Sequence, residues 1–309
     1  MVEQFECMDC GKVYKVRDFI VFCPCGGISW SASWKKPLVT SDILHEMASL
    51  WRYKEYLGLE DKVEWREVTM GEGFTPLITL DLDNPSILLK LEFLSPMSGI
   101  RDRGYAVLAA MLKYSDIEES RIDPTKANDR MAWHTYMRRA RLKEVPDKRV
   151  EGDTEPIYHP FFLSGIQTYA FEIWEQLSGK KLEFLVLPAN DPSFILGVFF
   201  GFKRLVESEC MEGYPVFLLM EKEDSSKEQQ PDVVNDQIMK VLDLTNGKRL
   251  SVAQAEITQA QKALNSRAIK NNEDDAVLYA GFMRYYRDNS IKDQLAVLPI
   301  GYKNGGVEA

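Results

Sequence analysis

Four cysteines near the N-terminus are the residues most plainly arranged for chemistry. Cys7 and Cys10 form a Cys-x-x-Cys pair followed by Gly11, and Cys23 and Cys25 form a tighter Cys-Pro-Cys pair followed by Gly26 and Gly27. Thiolates are soft, charged ligands, and four of them suit a closed tetrahedral zinc site with no coordination position left for water or substrate. The glycines after each pair let the backbone turn and aim both sulfurs inward. Between the pairs, residues 12–22 alternate enough for a short hairpin, so residues 1–36 read as a zinc ribbon holding a structural zinc ion; four free buried thiols are the alternative. The fifth cysteine, Cys210, stands alone with no activating group near it in sequence and reads as a packing residue.

A second group is basic. Residues 121–149 carry nine Lys or Arg against four Asp or Glu. A helix predicted over 129–142 brings Arg130, Arg138, Arg139 and Arg141 together with Trp133, His134 and Tyr136. Basic and aromatic side chains on one short element can hold phosphates and stack on bases, which makes Arg130, Trp133, Arg138, Arg139 and Arg141 a candidate nucleic-acid or ribosome surface. The pattern alone favours a solvated helix with its aromatics packed on a sheet. The ribbon offers Lys12, Lys15, Arg17, Lys35 and Lys36 as another basic surface. His159 reads as a satisfied structural histidine, and Glu273-Asp274-Asp275 as the cap of the helix that follows rather than a cation site.

The elements that must position these groups follow from patterning. Helices are expected over 42–57, 104–114, 129–142, 166–177, 195–207, 252–266 and 274–287, and strands over 87–93, 182–187, 216–220 and 294–298. Residues 115–129 read as a charged connection, and no internal repeat is evident. Strands alternating with helices imply a mostly parallel sheet with right-handed crossovers, an α/β fold. The 309 residues are enough for two domains and an appendage, with 45% hydrophobic and 28% charged residues, as in a globular soluble protein. The net charge of −9 argues against nonspecific attraction to nucleic acid or anionic membrane. No apolar run reaches membrane-spanning length, and the N-terminus lacks an apolar signal segment, so a cytoplasmic location is expected.

Several motifs in order carry a family resemblance. After the ribbon come Leu50-Trp51-Arg52-Tyr53, then Gly71-Glu72-Gly73-Phe74-Thr75-Pro76-Leu77, then a segment from Leu89 that ends Ser98-Gly99-Ile100-Arg101-Asp102-Arg103-Gly104. Later come His159-Pro160-Phe161-Phe162-Leu163-Ser164-Gly165 and Thr168-Tyr169-Ala170-Phe171-Glu172-Ile173. This order resembles threonine synthase and its relatives, the fold-type II pyridoxal-phosphate enzymes, over nearly the whole chain. The resemblance implies their fold, with domains at 1–36 (zinc ribbon), 37–80 and 160–309 (large α/β domain) and 81–159 (a reduced small domain).

The same resemblance implies a damaged cofactor pocket. The family's lysine-bearing segment ends Ser-Phe-Lys-Asp-Arg-Gly, and Arg101 stands where that lysine would form a Schiff base. A guanidinium stays protonated and cannot do imine chemistry. The asparagine loop corresponds to Pro124–Asn128, of which Asn128 is the remnant. The glycine-rich phosphate cradle corresponds to Pro188–Phe194, where Pro192 removes a donor and Asp191 places a negative charge near a dianion's site. The partner of the ring nitrogen falls near Glu273-Asp274-Asp275, which has no hydroxyl. Lys90 lies eleven residues before Arg101, too far along the chain to replace the lost lysine.

The reading is therefore a threonine-synthase-like pseudoenzyme with structural zinc and without pyridoxal phosphate. It would bind a protein partner, or a ribonucleoprotein through residues 121–149, with no membrane association; a homodimer is compatible. Two alternatives remain open: a pyridoxal-phosphate lyase with an atypical site, and a small-anion binder using Arg101 and Arg103.

Overall fold

The computed structural model describes residues 4–301 apart from 8, 16–22, 28, 32–35, 60–62, 98, 115–118, 123–129, 147–155 and 224–231. At the N-terminus, β1 (Gln4–Cys7) pairs antiparallel with β2 (Val13–Lys15) on one side and β3 (Ser29–Ser31) on the other. Most of the expected 12–22 hairpin lies outside the described residues.

The body of the chain runs β4 (Leu77–Thr79), β5 (Ile87–Leu91), α1 (Arg101–Tyr114), β6 (Glu119–Ile122), α2 (Arg130–Arg139), β7 (Lys143–Pro146), α3 (Pro160–Ile166), α4 (Thr168–Leu177), β8 (Phe184–Pro188), α5 (Pro192–Glu207), β9 (Val216–Lys222), α6 (Asp232–Leu244), β10 (Lys248–Val252), α7 (Gln254–Ser266), α8 (Glu273–Asp288) and β11 (Ala296–Ile300). Six strands form one sheet in the order β10-β9-β8-β11-β5-β4, parallel throughout except for the edge pair β4–β5. β5, which the sequence reading assigns to the reduced small domain, is thus a strand of the main sheet. β6 and β7 pair parallel in a separate two-stranded sheet.

Strand periodicity builds the two layers of core. In β8, Leu185 and Leu187 pack with helices α1 and α3 to α6, while Phe184 and Val186 pack with α7 and α8 on the other face. α1 and α3 cross at glycine: a Cβ on Gly165 would overlap the Arg103 carbonyl, and one on Gly104 would lie 2.5 Å from the Phe162 ring. This close approach sinks the first turn of α1 into the interior, so Arg101, Asp102 and Arg103 are all buried.

The helix expected over 42–57 is not a regular α-helix. Residues Leu50–Tyr56 form a 3-10 segment kinked at Tyr53. Leu50, Trp51, Arg52 and Tyr53 are consecutive and all buried, which no one-sided amphipathic helix permits. α6, β10 and β4 carry no expectation from sequence. Among the described residues, no helix is long and apolar enough to cross a membrane.

Candidate functional site

The site at Arg101 is built from two helix starts. Arg101 is the first residue of α1 and only 2% exposed. Its Nη2 and Nε lie 3.1 and 3.3 Å from Oδ2 of the buried Asp191. Asp191 in turn is the N-cap of α5: its Oδ1 accepts the Phe194 backbone N–H at 3.1 Å and the Ser193 hydroxyl at 2.6 Å, with Pro192 at the first helical position. A helix N-terminus presents N–H groups and a positive dipole end to an anion. Here the anion is the chain's own carboxylate, and its counter-ion is the Arg101 guanidinium.

This geometry tests the cofactor the resemblance implies. Pyridoxal phosphate needs an amine for its aldehyde and a free anion cradle for its phosphate. Residue 101 supplies no amine, and at the start of α5 the buried Asp191 carboxylate accepts the Phe194 N–H while Pro192 offers none, so a negative charge already sits there. The residues present do not fit the group. Asn128, the expected remnant of the ring-contacting loop, lies outside the described residues.

Arg103, two residues on and so about 200° around the helix, faces a different cluster. Its guanidinium pairs with Glu92 (2.9 and 3.2 Å) and with both oxygens of Glu172, one at 3.0 Å. Lys90 Nζ donates to Glu172 Oε2 at 2.9 Å and to the Thr75 carbonyl at 2.5 Å. All four charged side chains are fully buried, two cations against two carboxylates. Burial alone would raise the Glu172 carboxyl, but Arg103 and Lys90 outweigh it and hold it below the ordinary range. Burial lowers Lys90. The Gly-x-Gly loop admits this cluster because it is bare: a Cβ on Gly73, at φ +84°, would lie 2.8 Å from Arg103 Nη1. The next residue, Phe74, donates its N–H to Glu172 Oε1 at 2.7 Å. Arg101 and Arg103, the residues of the small-anion reading, both face internal carboxylates.

On the basic helix, the aromatics follow the reading in which they pack inward. Trp133 and Tyr136 are buried at 1% and 0% exposure, so neither offers a face to a base. Tyr136 donates to Glu72 Oε2 at 3.2 Å, and Glu72 accepts in addition from Trp51, Thr69 and the Met70 N–H. Arg139 donates to the carbonyls of Val68 and Thr69 at 2.7 and 2.6 Å. Arg138 and Arg141 are exposed, and the side chain of Arg130 lies outside the described ones. The structure therefore keeps the charge of this surface and withdraws its stacking groups.

The four cysteines do converge. Their sulfurs all lie within 4.8 Å of one another, with Cys7–Cys25 at 3.5 Å and Cys10–Cys23 at 3.7 Å. A tetrahedron of ~2.3 Å zinc–sulfur bonds places its sulfurs ~3.8 Å apart, so the set fits a metal ion. Cys7 and Cys23 are buried, Cys10 and Cys25 exposed. Burial pushes the Cys7 thiol up to about 12. Burial also raises Cys23, but the Cys25 N–H and the Tyr14 hydroxyl, 2.8 Å away, bring it down to about 6.

The remaining candidates are structural. His159 caps α3 by accepting the Phe161 N–H at 3.2 Å, and burial lowers its pKa to about 3, so it is neutral. Asn272 and Asp275 form a reciprocal capping box at the start of α8, and Asp275 Oδ1 also accepts the Gly301 N–H at 2.8 Å. Cys210 is half-buried, and burial raises its pKa. Sequence reasoning missed Glu92 and Glu172 as the partners of Arg103, and Lys90 as the second cation on Glu172. It also missed the role of Asp191, although Asp-Pro-Ser at the start of an apolar helix is an N-cap signature.

The fold defines a class: an α/β chain with the architecture of the fold-type II pyridoxal-phosphate enzymes. A threonine deaminase from T.th. superposes with a TM-score of 0.56 at 17% identity, over 76% of this chain and 93% of that one. The serine racemase from Dictyostelium discoideum gives 0.51 at 14% identity, covering 76% and 93%. Threonine deaminase isoform 2 from Solanum lycopersicum gives 0.53 at 14% identity, covering 88% and 94%. In sequence, the chain is similar to the threonine synthase of Methanocaldococcus jannaschii, 26% identical over 258 residues, which is 68% of this chain. The match spans 63% of that enzyme's length. No protein-family model matches the chain.

Proposed function

We propose that this chain is a threonine-synthase-like pseudoenzyme of the cytoplasm, a scaffold that acts by binding as a regulatory or assembly partner in a protein complex, with zinc held by Cys7, Cys10, Cys23 and Cys25. One observation carries the reading: Arg101 is buried against Asp191, and Asp191 caps α5. A single ion pair thereby stands in both places the cofactor would need. Lys90 is no substitute amine, being fully buried and held by Glu172 and Thr75. A protein partner is favoured over a nucleic acid because Trp133 and Tyr136 are buried and Arg139 is turned onto backbone carbonyls.

A working lyase is the second reading, favoured by the relatives, which include a threonine synthase and two threonine deaminases. Spectroscopy separates the two. Protein purified and then incubated with pyridoxal phosphate is expected to show no visible absorbance from lysine-bound cofactor and no borohydride-fixed adduct. A stoichiometric adduct would establish the lyase and end the pseudoenzyme reading.

A further inference from the structure

Both cysteine turns rest on one helix. Asp9, between Cys7 and Cys10, accepts from Gln237 Nε2 at 2.8 Å through one oxygen, and its other oxygen lies 3.4 Å from Lys240 Nζ. Gly26, beside Cys25, lies against Val233: a Cβ there would come within 3.1 Å of Val233 Cγ2. Val233, Gln237 and Lys240 are spaced by four and three residues, so they form one stripe of α6. The adjoining stripe, about 100° around the helix, with Val234, Ile238 and Val241, is buried in the core. The helix is therefore held both by the body of the molecule and by the cysteine turns.

Asp9 also touches the thiol cluster's own framework. A Cβ on Gly27 would overlap the Asp9 carboxylate and lie 2.7 Å from Cys7 Sγ. The missing side chain at residue 27 is what lets the carboxylate fold over the second turn. The turn that presents it is closed by Gly11 N–H to Cys7 C=O at 2.9 Å. The sulfurs of residues 7 and 10 leave that same short segment, so an ion drawing them inward fixes the direction of the carboxylate between them.

We propose that the four-thiol centre is a latch for α6, with Asp9 as the positioning residue that couples metal occupancy to helix docking. The proposal rests on the zinc reading above. A surface ion pair alone would be worth little. Here the pair is backed by the Gly26–Val233 contact from the other cysteine turn, so both ligand pairs bear on the same stripe. Coupling of this kind is reciprocal: metal slows the opening of α6, and α6 slows the loss of metal. The helix leads directly into β10, the edge strand of the main sheet, which pairs only with β9 among the described residues. Metal loss would therefore loosen that end of the sheet.

The test uses the full chain with its zinc measured by mass spectrometry, before and after treatment with 1,10-phenanthroline. Removing zinc is expected to raise hydrogen exchange across residues 232–244 by roughly fivefold or more, with α7 unchanged. Asp9→Ala should reproduce that rise while zinc is still bound. The double variant Gln237→Ala/Lys240→Ala alters only α6 and leaves every ligand in place. It should retain its zinc yet surrender it to the chelator faster, by a similar factor. Zinc loss with unchanged exchange in α6, or unchanged transfer kinetics in the double variant, would overturn the latch while leaving the zinc site standing. A chain that takes up no zinc would remove the zinc reading and the latch with it.

Discussion

At the scale of single residues, the pair Arg101–Asp191 is where most depends on one contact. Removing one partner of a buried ion pair leaves an uncompensated charge, which costs about 3–5 kcal/mol. Asp191→Ala also deletes the cap of α5, worth about 1 kcal/mol more. Urea denaturation should therefore show Asp191→Ala as less stable than Arg101→Met, both well below the parent. Arg101→Lys alone should gain no cofactor absorbance, because the buried Asp191 carboxylate still sits at the start of α5, where it would repel a phosphate. His159 supplies a pH dependence. Its folded pKa of about 3 lies below the ordinary histidine value near ~6.5, so between the two the unfolded chain binds the extra proton. Its contribution is fully present above that ordinary value and is lost as pH falls toward the folded one, at roughly 1.4 kcal/mol per pH unit. His159→Asn keeps a capping side chain that cannot ionise; urea midpoints measured between pH 7 and pH 4 should fall less steeply than the parent's, by close to a single proton's worth.

At the scale of elements, the loop at 71–75 decides whether the buried charges can meet. Gly73 combines a left-handed backbone with direct approach to Arg103 and Glu172. Gly73→Ala should lower stability by about 2–4 kcal/mol, from backbone strain and from parting the ion cluster. Thermal unfolding would read this as a large drop in Tm, while Gly71→Ala, with nothing within 4 Å of its Cβ, should bear only the strain. The contrast between these two glycines also shows what was legible in sequence. Strands β8, β9 and β11 announce themselves as short apolar runs, and α5, α7 and α8 by helical spacing, because burial on a sheet selects for those patterns. The two cysteine pairs carry their own spacing. The cluster around Arg103 was hidden because Lys90, Glu92 and Glu172 come from two distant segments, and nothing local distinguishes a buried glutamate from an exposed one. The aromatics of α2 left two readings open for the same reason. Trp133 and Tyr136 look available beside arginines until Tyr105 and Glu72 are brought against them by the fold.

At the scale of the whole molecule, charge and shape bear on what kind of partner the scaffold can hold. Sequence-tolerant binding of single-stranded RNA draws on two sources, cations along the phosphate path and aromatic faces for the bases. The second is withdrawn on α2, and Arg139 is committed to carbonyls of residues 68 and 69. What remains exposed there among the described residues includes Arg138 and Arg141, on a chain whose net charge is −9. Two arginines release about two counterions, a salt slope near −1.4 for a single strand, and the overall negative field opposes approach. Fluorescence anisotropy with labelled poly(U) should therefore show no saturable binding at physiological ionic strength, and the reversal Arg138→Glu/Arg141→Glu should change nothing in that assay. Micromolar binding with a slope steeper than about −3 would mean four or more phosphates engaged. That result would return the basic stretch at 121–149 to the centre of the function and displace the protein partner proposed for it.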